Sequence, residues 1–329
     1  MYKAFFNLTS NPFELTPNPT CFVPTKRHNE ALTALYYGIR RHKGFVVLTG
    51  EVGTGKTLLL RCLLRLLKES KDIAYAYLFN GRLSPTEFLQ YILSDFGLPV
   101  SGKNKSDLLQ DLGQFLVSRG LRKMTTVLIV DEAHHLSAEI LEELRLLSNL
   151  ETDDDKLLQI VLVGQPELDE KLDSVELRQL KQRIAVRTQL GSLDADETKR
   201  YIEQRLEIAG ADLSANPLFS AQAISAVYRH SRGLPRLINT ICDNALMTAY
   251  ARGLPSVTPE AIGDVANEFR LNIVSSHEAD KSERSSEMDT QRVTNLLLDL
   301  YAVLRKPIAS NTNLGASVAL ELSKHEPYI

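Results

Sequence analysis

The run Gly50-Glu51-Val52-Gly53-Thr54-Gly55-Lys56-Thr57 restricts this chain more than any other stretch. It has the form G-x-x-x-x-G-K-[ST]. The wholly apolar Phe45-Val46-Val47-Leu48 precedes it, and a helical pattern from Lys56 to about Lys68 follows. A short apolar run of this kind predicts a strand buried on both faces of a parallel sheet. The glycines let the loop wrap an anion with inward-pointing N–H groups, and the following helix adds the positive end of its dipole. Strand, loop and helix together predict a phosphate cradle from Gly50 to Leu58. Lys56 is expected to reach the β- and γ-phosphates of ATP, and Thr57 to ligate Mg2+.

Further strands alternate with helices. Ile73–Leu78, Val127–Val130, Leu158–Val163 and Ile184–Leu190 read as strands, and residues 29–42, 85–96, 105–118 and 138–150 as helices. That alternation predicts an α/β fold with a doubly wound, parallel, five-stranded sheet. After Leu190 the pattern is helical only: 194–209, 220–231, 235–251 and 258–271. The expected organisation is an extended lead-in over 1–27, an α/β core over 28–191, a small all-helical lid over 192–272, and a polar linker and flexible tail over 273–329. Within that tail, Val293–Leu304 could form a short helix.

Four further positions fit nucleotide chemistry. Asp131 ends an apolar strand, where its carboxylate can hold Mg2+. Glu132 follows, placed to activate water as a general base. Gln165 closes the fourth strand, where a polar side chain would sense the γ-phosphate. Arg183, with Arg178 as second choice, lies just before the fifth strand and could project toward a neighbouring subunit's γ-phosphate, a task suited to a permanently charged planar donor. Gly233-Leu234-Pro235-Arg236 opens a lid helix and should turn Arg236 toward the nucleotide. Asn80 could hold Glu132 until a partner binds. His134 and His135 read as surface or loop residues rather than ligands.

Composition narrows the context. Hydrophobic residues make up 43% and charged residues 24% of the 329 positions, and the formal net charge is −3. No uninterrupted apolar run is long enough to span a bilayer, and the first residues do not form a signal peptide. Three scattered cysteines, Cys21, Cys62 and Cys242, suit a reducing compartment and packing roles. The expected location is the cytoplasm, with peripheral attachment to the inner membrane an option. The overall charge and the lack of a lysine-arginine run argue against generic nucleic-acid binding.

The order of P-loop, acidic pair, polar strand end, arginine before the fifth strand and G-x-P-R resembles the AAA+ superfamily of P-loop NTPases. More narrowly, the chain looks like ATPases of the general secretion pathway protein A (ExeA/GspA) type. The matching phrases include Asn11-Pro12-Phe13 with Leu15-Thr16-Pro17, Tyr37-Gly38-Ile39, Leu146-Leu147-Ser148-Asn149-Leu150-Glu151-Thr152, Gly164-Gln165-Pro166-Glu167-Leu168 and Pro235-Arg236-Leu237-Ile238-Asn239. The resemblance implies Mg2+-dependent ATP hydrolysis, homo-oligomerisation and a role in secretion, pilus or exopolysaccharide assembly. Val293–Leu304, holding Asp299, is too short and polar to supply the transmembrane segment that some such proteins carry. A DNA-associated regulator of the transposition or replication-loader type is the alternative, and a nucleotide-gated scaffold with negligible turnover a third.

Overall fold

Three strands have no exposed face. β1 (Phe45–Gly50), β3 (Thr125–Val130) and β4 (Gln159–Gly164) are buried at all six positions each, and β2 (Ile73–Leu78) and β5 (Ile184–Leu190) flank them with alternating exposure. The computed structural model describes residues 1–15, 22–79, 83–152, 155–213 and 217–271. The strands pair in parallel in the order β2-β3-β4-β1-β5, so the apolar runs occupy the centre of the sheet.

Side chains alternate across a strand, and the two sets meet different helices. Phe45, Val47, Leu128, Val130, Ile160 and Leu162 pack under one layer: α4 (Pro85–Asp95), α5 (Lys105–Gly120), α6 (Ala138–Leu147), α7 (Pro166–Leu172) and α8 (Arg178–Lys181). Val46, Leu48, Val127, Ile129, Val161 and Val163 face α2 (Lys26–Arg40) and α3 (Lys56–Glu69). The sheet is doubly wound, as expected. Cys62 is buried in this second layer, where loss of hydration pushes its thiol up to about 11.

The chain leaves β5 for a helical body of α9 (Ala195–Ile208), α10 (Ala221–Ser231), α11 (Pro235–Ala251) and α12 (Pro259–Glu268). Local sequence starts each helix. Asp194 and Glu197 form a capping box, Ser220 and Thr258 cap with their side chains, and Pro235 and Pro259 pre-set the first turn. Cys242 is buried here among Ile238, Leu246 and Ile262.

The first residues differ from an extended lead-in. Tyr2–Phe5 form a helical turn, α1, and Phe6, Leu8, Phe13 and Val23 join the core of α9–α12. The Tyr2 hydroxyl donates to Asp243, Thr9 N–H donates to the Ala209 carbonyl, and Phe13 meets Phe219 edge-on. The prolines keep this segment from continuing as helix, and its aromatic residues bury it. α2 also begins earlier than its periodicity suggests, at Lys26, because Thr25 caps it. α6 and α12 stop short of their expected ends, at Leu147 and Glu268. Asn80, Cys21 and the whole 273–329 segment lie outside the described residues.

Candidate active site

At the end of β1 the backbone turns sharply. Gly53 (φ +86°) and Gly55 (φ +98°) take left-handed conformations, and α3 begins at Lys56. Thr54 is buried, with its hydroxyl and N–H both donating to the Glu51 carbonyl. The Lys56 ammonium donates to the carbonyls of Gly50 (2.6 Å) and Glu51 (3.0 Å), which sets its head at the edge of the loop. Burial lowers the pKa of Lys56, and the carboxylates of Glu132, Asp131 and Glu51 oppose that shift. The acidic pair therefore acts electrostatically on the loop lysine.

His28 completes this loop and gives no signal in the sequence beyond following the Thr25 cap by three positions. Its Nε2 donates to the Thr54 carbonyl (3.0 Å), and its Nδ1 takes the Thr25 hydroxyl (2.7 Å). With Nε2 donating and Nδ1 accepting, the imidazole is neutral, the form that burial favours by lowering the His28 pKa.

Asp131 and Glu132 leave the end of β3 in different states. Asp131 is 1% exposed; the Tyr77 hydroxyl (2.9 Å) and the Glu132 N–H (2.9 Å) donate to its two oxygens. Burial raises its pKa and these two bonds oppose the rise. Glu132 has φ +52°, uncommon for a residue with a side chain. Its Oε2 is buried without a hydrogen-bond partner. Such atoms are rare in folded proteins, and a catalytic role is one of the reasons for their presence.

His134 departs from the expectation of a surface or loop residue. Its side chain is 8% exposed, with Nδ1 3.4 Å from Glu132 Oε2. The Gln165 N–H reaches Nδ1 (3.4 Å), and the Gln165 side-chain amide lies 3.1 Å from Nε2. Ala133–His135 form a single 3-10 turn. Lys171 pins that turn by donating to the carbonyls of His134 and Leu136, which is why the ring points inward. Burial and the neighbouring His135 both lower the His134 pKa. His135 is exposed.

Two expected arginines lie at opposite ends of the sheet. Arg236 is at the start of α11, its N–H donating to the Gly53 carbonyl (3.2 Å). A side chain at Gly53 would come within 2.9 Å of Arg236 Cβ. Arg183 precedes β5, and the register pairs Phe45 with Ile184 and Gly50 with Leu190. At about 3.3 Å per residue, Arg183 is about 20 Å from its own P-loop, beyond the reach of its side chain. Its Nη1 donates to Ser148 Oγ (2.9 Å) at the end of α6. Arg178, in α8, is exposed.

The sheet and the loop after β1 are those of a P-loop protein, and residues 39–172 match the family described as AAA domain. The chain is 46% identical over 254 residues to general secretion pathway protein A of Aeromonas hydrophila, covering 77% of this chain and 46% of that protein. It thus spans about half the length of that relative. It is also 27% identical over 241 residues to the ATP-dependent target DNA activator B of Escherichia phage D108, covering 72% of this chain and 70% of that protein. Among solved structures, Cdc6p from Pyrobaculum aerophilum matches with a TM-score of 0.59 at 17% identity, covering 96% of this chain and 90% of that one, a likeness of fold. Among the described residues, no helix is long and apolar enough to cross a membrane.

Proposed function

We propose that this chain is a Mg2+-dependent ATPase that works as a homo-oligomer on the cytoplasmic side of envelope assembly, in secretion, pilus or exopolysaccharide export. The observation that carries the hydrolytic part is Glu132 Oε2, a buried oxygen that accepts no hydrogen bond, 3.4 Å from His134 Nδ1 and beside a P-loop whose lysine senses its charge. A carboxylate in that state can accept a proton from water, as a general base must.

The residues suit the expected ligands. Gly50 to Leu58 form the cradle, Lys56 neutralises phosphate charge, and Arg236 brings the helical body against the loop. The hydroxyl of Thr57 and the carboxylate of Asp131 are hard oxygen donors of the kind Mg2+ prefers. Bound there, Mg2+ would offset charge developing on the phosphates. Gln165 orients the nucleophile with Glu132, and Arg183, too far from its own loop, serves the neighbouring subunit.

Glu132→Gln should leave ATP affinity within a fewfold of wild type and slow phosphate release by about 10²–10⁴. Equal turnover in the purified variant would reject Glu132 as the base.

The envelope role is supported by the 46% identity to general secretion pathway protein A. A DNA-associated regulator is the second reading, supported by the 27% identity to the target DNA activator. Retention on DNA at low salt, lost steeply as salt rises, would favour it.

A further inference from the structure

The end of the sheet opposite the P-loop gathers cations that the sequence scatters. Three turns meet there. The last turn of α2 is joined to the α3–β2 turn by Arg40, which pairs with Asp72 (2.6 Å) and donates to Ser70 (2.8 Å). The end of α5 is joined to the same turn by Arg119, which donates to the carbonyls of Asp72 (3.0 Å) and Thr125 (2.9 Å). His42 closes the triangle against Thr125 Oγ1 (3.1 Å).

The acidic groups inside this network are already engaged. Asp72 pairs with Arg40, Asp155 with His42, Glu151 with Lys156 and Glu69 with Arg65. Six exposed cations on the same turns, Arg41, Lys43, Lys68, Lys71, Arg122 and Lys123, make no ion pair with any described residue. Asp153 and Asp154, between β3 and β4 in sequence, lie outside the described residues. Amid the cations stand two apolar side chains at the end of α5, Leu121 (81% exposed) and Val117 (47% exposed).

We propose that this end of the molecule is a docking surface for an anionic membrane. A cluster of four to eight lysines and arginines is the size that anionic headgroups attract, and an apolar side chain among them can enter the headgroup layer. This surface offers both kinds of contact, charge for the headgroups and an exposed apolar side chain for the layer beneath them. A nucleic-acid duplex would use the cations but has no contact to offer Leu121 along its phosphates. The surface is also built from the ends of α2, α3 and α5, with no helix laid lengthwise for a groove.

The test is co-sedimentation of the full chain with phosphatidylcholine vesicles, with and without phosphatidylglycerol, alongside a parallel measurement on double-stranded DNA. Wild type should sediment with the anionic vesicles only, and less as salt rises. Lys71→Gln/Arg122→Gln/Lys123→Gln should weaken that binding about a hundredfold, at about fivefold per charge. Leu121→Ser should weaken it severalfold without changing its salt dependence. These side chains lie outside the nucleotide site, so ATP affinity and thermal midpoint should match wild type, and Leu121→Ser alone carries the test if the triple variant does not fold. Wild type remaining in solution with anionic vesicles would overturn the proposal. So would undiminished vesicle binding by both variants, or DNA binding that needs the three cations and ignores Leu121 while vesicles are not bound.

Discussion

His28 Nε2 and the Thr54 carbonyl, 3.0 Å apart, tie the first turn of α2 to the middle of the P-loop. The imidazole spans from the helix cap at Thr25 to the loop's backbone, so the shape of the P-loop rests partly on a residue well upstream of it. His28→Leu would leave the Thr54 carbonyl unpaired and remove the Thr25 hydroxyl's ring partner, at about 1–3 kcal/mol. The expected result is a thermal midpoint lower by several degrees and ATP affinity weaker by about tenfold, read by calorimetry.

The same residue sets a pH dependence. Burial holds the His28 imidazole below its ordinary 6.5, and the His134 imidazole is lowered likewise. As pH falls through 6.5 the unfolded chain takes up these protons before the folded one. Stability is therefore fully present above 6.5 and declines below it, by at most about 1.4 kcal/mol per pH unit for each histidine. Denaturant titrations between pH 7.5 and 5 should show this fall, and His28→Gln should flatten it in part. An unchanged slope would remove His28 from the account.

Arg183 predicts behaviour that depends on assembly. Wild-type specific activity should rise with protein concentration, and Arg183→Ala should abolish that rise while lowering the rate by about 10³ or more. Mixing inactive Arg183→Ala with inactive Glu132→Gln should restore activity, since one subunit keeps a working site and the other a working arginine. If the mixture stays silent, the role passes to Arg178 or disappears.

His134 should act through Glu132 and Gln165, since the polar contacts of its ring are with those two residues. His134→Ala should lower kcat by about tenfold or more with KM for ATP little changed, the signature of a residue that positions rather than binds. His135→Ala, at an exposed ring, should change neither.

Gly233 should tolerate no side chain. With φ +72°, its Cβ would lie 1.9 Å from the Leu193 carbonyl oxygen, which is backbone. Gly233→Ala should cost about 3 kcal/mol or more and lower the thermal midpoint by on the order of 10 °C. Arg232→Ala, an exposed neighbour also at positive φ, provides the comparison and should cost far less.

The parts of this fold legible in sequence were those where burial leaves a continuous imprint. β1, β3 and β4 read plainly because both faces are covered, and the glycines and Lys56 of the loop stand in a fixed spacing. The first residues were harder. Pro12, Pro17, Pro19 and Pro24 suggest extended chain, while α1 is a single turn that tertiary burial supports and periodicity cannot reveal. His28 and His134 were hidden for another reason. Each matters through contact with a distant segment, Thr54 in one case and Gln165 in the other, and a lone histidine leaves no pattern along the chain. Arg183 was visible as a charge before β5, but its hold on Ser148 needed the fold.

Tyr2 meets Asp243 across 241 positions of chain. The core of the helical body is thus shared between residues separated by the entire sheet. On a ribosome adding roughly 5–20 residues each second, Phe6 and Phe13 would wait some tens of seconds before α11 and α12 emerge to cover them. During that interval the sheet can already close, so the helical body sets after the sheet. Its early aromatic residues are the surface that a chaperone, or a misdirected neighbour, would meet first.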